Sequence, residues 1–158
     1  MEPKLGIGDE NRKAVVELLN KNLADLHVLY IKTRNYHWNV VGPRFHSMHE
    51  MFEEEYDALA IAIDDVAERI RALGAKSPGS MKEFAELARL QEETPGHYPS
   101  ADDMVRNLVQ DHEAIIRQLK KDIDECDDKY GDTGTADFLT GLMEDHEKTA
   151  WMLRSLLE

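Results

Sequence analysis

The placing of helix breakers limits this chain more than any other feature. It has nine Gly and five Pro in 158 residues, most of them bunched at Gly42-Pro43, Gly74 to Gly79, Pro95 to Pro99 and Gly131 to Gly134. The unbroken intervals between these clusters predict four long helices joined by short connections. In the first, Leu19, Leu23, Leu26, Tyr30, Thr33 and His37 follow at three- and four-residue steps, the spacing of one helix face. Asp9 ahead of them has the chemistry of an N-cap. His37 thus continues a buried stripe. The second helix is expected from Phe45 to Leu73, with Gly74 in the position of a C-terminal cap. The third is expected from Ser100 to Asp128 and the fourth from Thr135 to Leu157. No segment alternates with period two long enough for a strand, and no tandem repeat is present.

Between the second and third helices, Met81 to Leu90 reads as a short extra helix inside a connection too long for antiparallel neighbours. The expected fold is therefore all-α: one domain over residues 1–158, a ferritin-like four-helix bundle with a short helix in its crossover. Lys and Arg number 19 against 32 Asp and Glu, a formal charge of −13, so cations are the natural partners and an open, charge-driven grip on nucleic acid is not expected. The segment Met1 to Lys13 sets Lys4, Arg12 and Lys13 against Glu2, Asp9 and Glu10. It is not a basic tail, so DNA binding, and any nucleoid association that would follow from it, is doubtful. No run approaches the roughly 20 apolar residues of a membrane span, and the amino-terminal residues lack the apolar core of a signal peptide. A cytoplasmic location follows as the expectation. Cys126, the one cysteine, reads as an ordinary helix residue rather than a thiolate ligand.

The second helix carries two stripes. Phe45, Phe52, Tyr56, Ile63 and Ile70 share one side, a conventional core face. His49, Glu53, Ala60, Asp64 and Glu68 share the adjoining sector, where charged groups border the apolar face. A bound cation accounts for such a stripe better than a solvated flank does, because half-buried carboxylates and imidazoles need partners. Glu53 and Asp64 are eleven residues apart, which at 1.5 Å per residue is ~16 Å. They cannot share a metal within one chain. Two copies of this helix packed antiparallel about a two-fold axis would bring Asp64 and Glu68 of one chain to His49 and Glu53 of the other, with small Ala60 allowing close approach. No His has Glu three residues before it, which argues against the Glu-x-x-His metal pairs of ordinary ferritin-like bundles.

Tyr36-His37-Trp38-Asn39-Val40-Val41-Gly42-Pro43-Arg44-Phe45, then His49-Glu50-Met51-Phe52-Glu53, then Ile63-Asp64-Asp65-Val66-Ala67-Glu68-Arg69 closely resemble the Dps family, the miniferritins. The resemblance covers essentially the whole chain. It implies a homo-oligomeric hollow dodecamer with two-fold interfaces, a ferroxidase that oxidises Fe(II) with hydrogen peroxide in preference to dioxygen and stores the ferric mineral inside. It also implies His37 and His49 as nitrogen ligands and Glu53 as a carboxylate of the same chain, with Asp64 and Glu68 reaching in from the two-fold neighbour. Trp38 would lie beside the iron, to intercept oxidising equivalents or to fill the interface. His46, one turn before His49, either modifies the site, for instance toward zinc, or is a partly exposed first-turn residue. Asp128, Asp132 and Asp137 fall where the family has acidic three-fold pores, and are equally explained as loop and capping residues. The matching tripeptides Asp111-His112-Glu113 and Asp145-His146-Glu147 read as solvated helix surface. The alternative functions are a shell whose main role is compaction of DNA or binding of another metal such as zinc.

Overall fold

The computed structural model describes residues 3–158. Met1 and Glu2, which enter the charge balance of the amino-terminal segment, lie outside the described residues. These contain five α-helices and no strand: α1 Asp9–Asn39, α2 Phe45–Ala72, α3 Met81–Leu87, α4 Ala101–Asp124 and α5 Thr133–Ser155. α1 packs along α2 and α4 along α5, while α3 lies against α1 in the crossover. The core runs between the two hairpins, with Leu19, Leu23, Tyr36, Phe52, Leu108 and Leu119 among its fully enclosed side chains. Among the described residues, no helix is long and apolar enough to cross a membrane.

The helix ends show where local chemistry overrides pattern. α1 is preceded by Gly8 as N-cap, with no side-chain cap. Asp9 falls inside the first turn, where it suits the positive end of the helix and holds Arg12 at 3.1 Å. α2 stops as expected: Gly74 takes φ +88°, Ala75 N–H donates to Ile70 O at 3.3 Å, and a Cβ at Gly74 would stand 2.7 Å from the Pro3 side chain. Only glycine suits this left-handed cap. α3 begins in a capping box formed by Ser80 and Glu83. α4 is capped by Ser100 and changes to a π-helical turn over Glu125–Lys129, so regular α-helix ends before the expected Asp128. Phe45, expected in the core, is 45% exposed. It is the first residue of α2 and packs its ring on His49, 5.1 Å between centroids.

The short helix ends at Leu87 rather than Leu90 because the two amide groups after the cap residue Ala88 are used elsewhere. Arg89 N–H and Leu90 N–H donate to Asp25 Oδ1 at 2.6 and 3.1 Å, and Arg89 Nε donates to Asp25 Oδ2 at 2.8 Å. Arg89 Nη2 also reaches Asn22 Oδ1 at 2.7 Å, and Asn22 Nδ2 donates to Asp122 Oδ2 at 2.8 Å. This partly buried chain of charge-assisted bonds ties the crossover to α1 and α4. Asp25→Leu would leave Arg89 Nε and two backbone amides without an acceptor, and the expected cost is about 3–5 kcal/mol. Thermal denaturation should show a large fall in Tm, part of which returns in Asp25→Leu/Arg89→Met.

Candidate metal centre

The hairpin between α1 and α2 turns at Gly42, with φ +118°, and sets His37 in the last turn of α1 against His49 near the start of α2. Their rings stack with centroids 3.7 Å apart and planes 17° apart. His37 Nδ1 lies 2.7 Å from His49 O, and His49 Nδ1 lies 2.7 Å from His37 O. A carbonyl oxygen only accepts, so each Nδ1 carries the proton and each neutral ring keeps its lone pair on Nε2. This is the tautomer a metal ligand requires, held by the outer hydrogen bond that commonly fixes such ligands. The Tyr56 ring meets His37 edge-on at 5.2 Å. His37 is buried and His49 half-buried.

Glu53 is exposed one turn beyond His49, and Tyr56 O–H points to its Oε1 at 3.4 Å, so Tyr56 links it to the imidazole pair. Ala60, Asp64 and Glu68 continue along the same face of α2, all exposed. Asp64 and Glu68 therefore lie too far along the helix to join His37 and His49 in this chain. No three His, Cys, Asp or Glu side chains are placed to hold a metal ion among the described residues. Trp38 is 63% exposed, with the Arg34 guanidinium 5.0 Å from its ring centre and 4.8 Å from that of Tyr56. The face thus combines exposed carboxylates with exposed aromatic surface. His46 is exposed and pairs with Glu50 at 3.1 Å rather than with the stacked rings.

Of the three aspartates near the start of α5, Asp128 and Asp137 are exposed while Asp132 is buried. Asp132 caps α5, accepting from Thr135 N–H at 2.9 Å, and its Oδ1 pairs with Arg69 at 3.1 Å. Its carboxylate is committed to the fold. Cys126 is buried, and burial together with nearby Asp132 and Asp122 raises its thiol to about 12, so it is not a thiolate at neutral pH.

The two DHE tripeptides are corrected by the structure. His112 is 1% exposed and His146 3%, facing each other inside the bundle with Nδ1 atoms 2.8 Å apart. His112 Nε2 lies 2.8 Å from Oε1 of Glu55, itself buried. Helical phase carried this information where the tripeptides did not. Leu108, His112, Ile115 and Leu119 step by three and four along one stripe of α4, as Leu139, Leu142, His146, Ala150 and Leu153 do on α5.

A ferritin-like domain model matches residues 16–158. A protein of Nostoc sp. described as low temperature-induced is 54% identical over 158 residues, covering 99% of this chain and 88% of its own length. The DNA protection during starvation protein 2 of Bacillus anthracis is 43% identical over 92% of this chain and 97% of its own. Among solved structures, a Dps protein from Bacillus brevis has a TM-score of 0.89 at 37% identity, over 96% of this chain and 100% of that one. A Dps protein from Vibrio cholerae O1, described as a member of a broad superfamily of ferritin-like diiron-carboxylate proteins, has a TM-score of 0.91 at 30% identity, over 100% and 98%.

Burial, with repulsion from His112 as the second cause, holds His146 well below the usual imidazole range. The folded chain therefore keeps it neutral while the unfolded chain takes up a proton near pH ~6.5. Its contribution is fully present above that pH and is lost progressively as pH falls below it. His146→Gln should show a flatter decline of Tm between pH ~7 and ~5 than the wild type; an equal decline would assign the acid sensitivity to other groups.

Proposed function

Because the chain belongs to the Dps family of ferritin-like proteins, we propose that it is a ferroxidase and iron store. It oxidises Fe(II), with hydrogen peroxide in preference to dioxygen, at sites shared between two-fold-related subunits, and keeps the ferric product inside a hollow dodecamer. The observation that carries this reading is the stacked His37–His49 pair, its Nε2 lone pairs left free by reciprocal bonds to backbone carbonyls, on a face whose Asp64 and Glu68 carboxylates lie beyond its reach in the same chain.

In this mechanism Fe(II) is the substrate. His37 and His49 supply nitrogen, Glu53 a carboxylate of the same chain, and Asp64 and Glu68 of the partner subunit complete the set. Carboxylates hold Fe(II) and tolerate the added charge of Fe(III), and imidazoles set affinity. Two Fe(II) give one electron each. Peroxide takes both, its O–O bond breaks, and with two protons it leaves as two water molecules, without releasing a hydroxyl radical. Protection of DNA, which the name of the B. anthracis relative mentions, then follows from removing Fe(II) and peroxide together. Trp38, exposed beside His37 and faced by Arg34, fills the interface and is a source of a stray electron close to the iron. Exposed Asp128 and Asp137 are the carboxylates available to attract Fe(II) near the start of α5.

Anaerobic Fe(II) titration of the apo-protein with limiting peroxide should oxidise about two Fe(II) per peroxide. Oxidation no faster than in buffer would move the function to another metal, such as zinc, or to binding alone. Chains carrying Asp64→Ala/Glu68→Ala and chains carrying His49→Ala should each oxidise iron slowly. Shells reassembled from an equal mixture should regain about a quarter of the sites, since random pairing makes about half the dimers mixed and each mixed dimer restores one of its two sites. No recovery on verified mixing would overturn the shared site.

A further inference from the structure

We propose that His112 and His146 form a second metal site, inside the bundle of a single chain, that takes one divalent transition-metal ion between their facing Nδ1 atoms, with Glu55 as the carboxylate behind His112. The cluster spans three helices, Glu55 on α2, His112 on α4 and His146 on α5, and is not the Glu-x-x-His arrangement of ordinary ferritin-like bundles.

The hydrogen bonds are directional in a way that suits a metal. With the Glu55 carboxylate accepting from His112 Nε2–H at 2.8 Å, the neutral His112 ring has its lone pair on Nδ1, facing His146 Nδ1 at 2.8 Å. That contact holds one proton between two nitrogens. A carboxylate on the far nitrogen of an imidazole is the common outer partner of a metal-binding histidine, fixing its tautomer and raising its basicity. Glu55 has a further feature: its Oε2 is buried with no hydrogen-bond partner, and the residue is only 7% exposed. Burying a carboxylate this incompletely satisfied is costly unless positive charge accompanies it.

Space is also provided. Glu55, His112 and His146 line a cavity of about 390 Å³, bordered by Met51 and Asp145. An ion held by two imidazoles at about 2.0–2.1 Å in tetrahedral geometry needs its nitrogens about 3.3–3.4 Å apart. The rings must open by roughly half an ångström, and the cavity admits both that movement and water to complete the coordination. Nitrogen donors select Zn(II), Co(II), Ni(II) or Cu(II) over Mg(II) and Ca(II), which require oxygen. Binding displaces the shared proton from between the two Nδ1 atoms to Nε2 of His146, so both rings bind as neutral imidazoles and no net proton is released.

The site does not rest on the iron-oxidation reading and is tested apart from it. In His37→Ala/His49→Ala chains, which lack the nitrogens of the first centre, Co(II) titration followed by visible absorption should retain one ion per subunit, released by competing Zn(II). Adding His146→Leu should abolish the ion, and adding Glu55→Gln should weaken it about 10- to 100-fold. If His146→Leu does not fold, His146→Gln serves as the ligand-removing variant, its helicity verified by circular dichroism. Absence of bound Co(II) in the double variant, or binding unchanged by removal of the His146 imidazole, would overturn the site.

Discussion

Two hydrogen bonds across the α1–α2 hairpin determine what the exposed face can do. α1 ends at Asn39, so the carbonyl of His37 lies in the last turn, where the helix no longer supplies a partner. His49 Nδ1–H supplies one, and His37 Nδ1–H returns the bond to the carbonyl of His49. An ordinary requirement of helix termination is thereby met by the same atoms that fix two imidazole tautomers. Replacing either ring removes a nitrogen donor and the stacking face of the other ring, whose Nδ1–H keeps its bond to the backbone carbonyl. The pair is a geometric unit, and the turn at Gly42 is part of it because the hairpin sets the register of one ring on the other.

The bundle interior is less hydrocarbon-like than its apolar stripes suggest. Asp25 is enclosed by Arg89 and two backbone amides, Lys32 holds Asp111 at 2.6 Å, and Glu55 meets His112. Each joins α1 or α2 to an element distant in sequence. Such pairs add little net stability compared with well-packed apolar side chains, but removing one partner is expensive. They also make alternative packings costly, since a rotated helix would strand a charge. Asp25 and Asp111 are paired in full view of this logic, whereas Glu55 keeps one oxygen unmatched, and that asymmetry sets the Glu55 cluster apart from the structural pairs.

Helices and the charged stripe on α2 were legible because both depend on spacing within one segment. The bundle's crossover helix and the cap at Gly74 belong to the same class of local signal. What was not legible depends on partners far away in the chain. The end of α3 could not be placed without knowing that Asp25 takes the amides of Arg89 and Leu90, and Asp132 could not be told from a free carboxylate until Arg69 and Thr135 were seen on it. His112 and His146 are a different matter. The repeated tripeptide drew attention to its acidic flanks, of which Asp145 and Glu147 lie at the surface and Asp111 is taken up by Lys32, while each His sits in phase with the leucines of its own helix. Helical phase was the better guide to both residues.

The division of α2 has a consequence for how chemistry would be controlled. Its amino-terminal half carries His49 and Glu53, its carboxy-terminal half Asp64 and Glu68, and the rigid rise of the helix keeps the halves ~16 Å apart. On the proposed reading, an isolated chain holds two incomplete half-sites, each too poor in ligands to bind iron firmly. Pairing about a two-fold axis would complete both at once, since whatever aligns one end aligns the other by symmetry. Fe(II) would then be bound firmly only after assembly, where the ferric product has a shell to enter. A helix that placed all its ligands within two turns would bind iron as a monomer and lose that coupling, so on the proposed reading the long spacing between Glu53 and Asp64 would tie oxidation to storage.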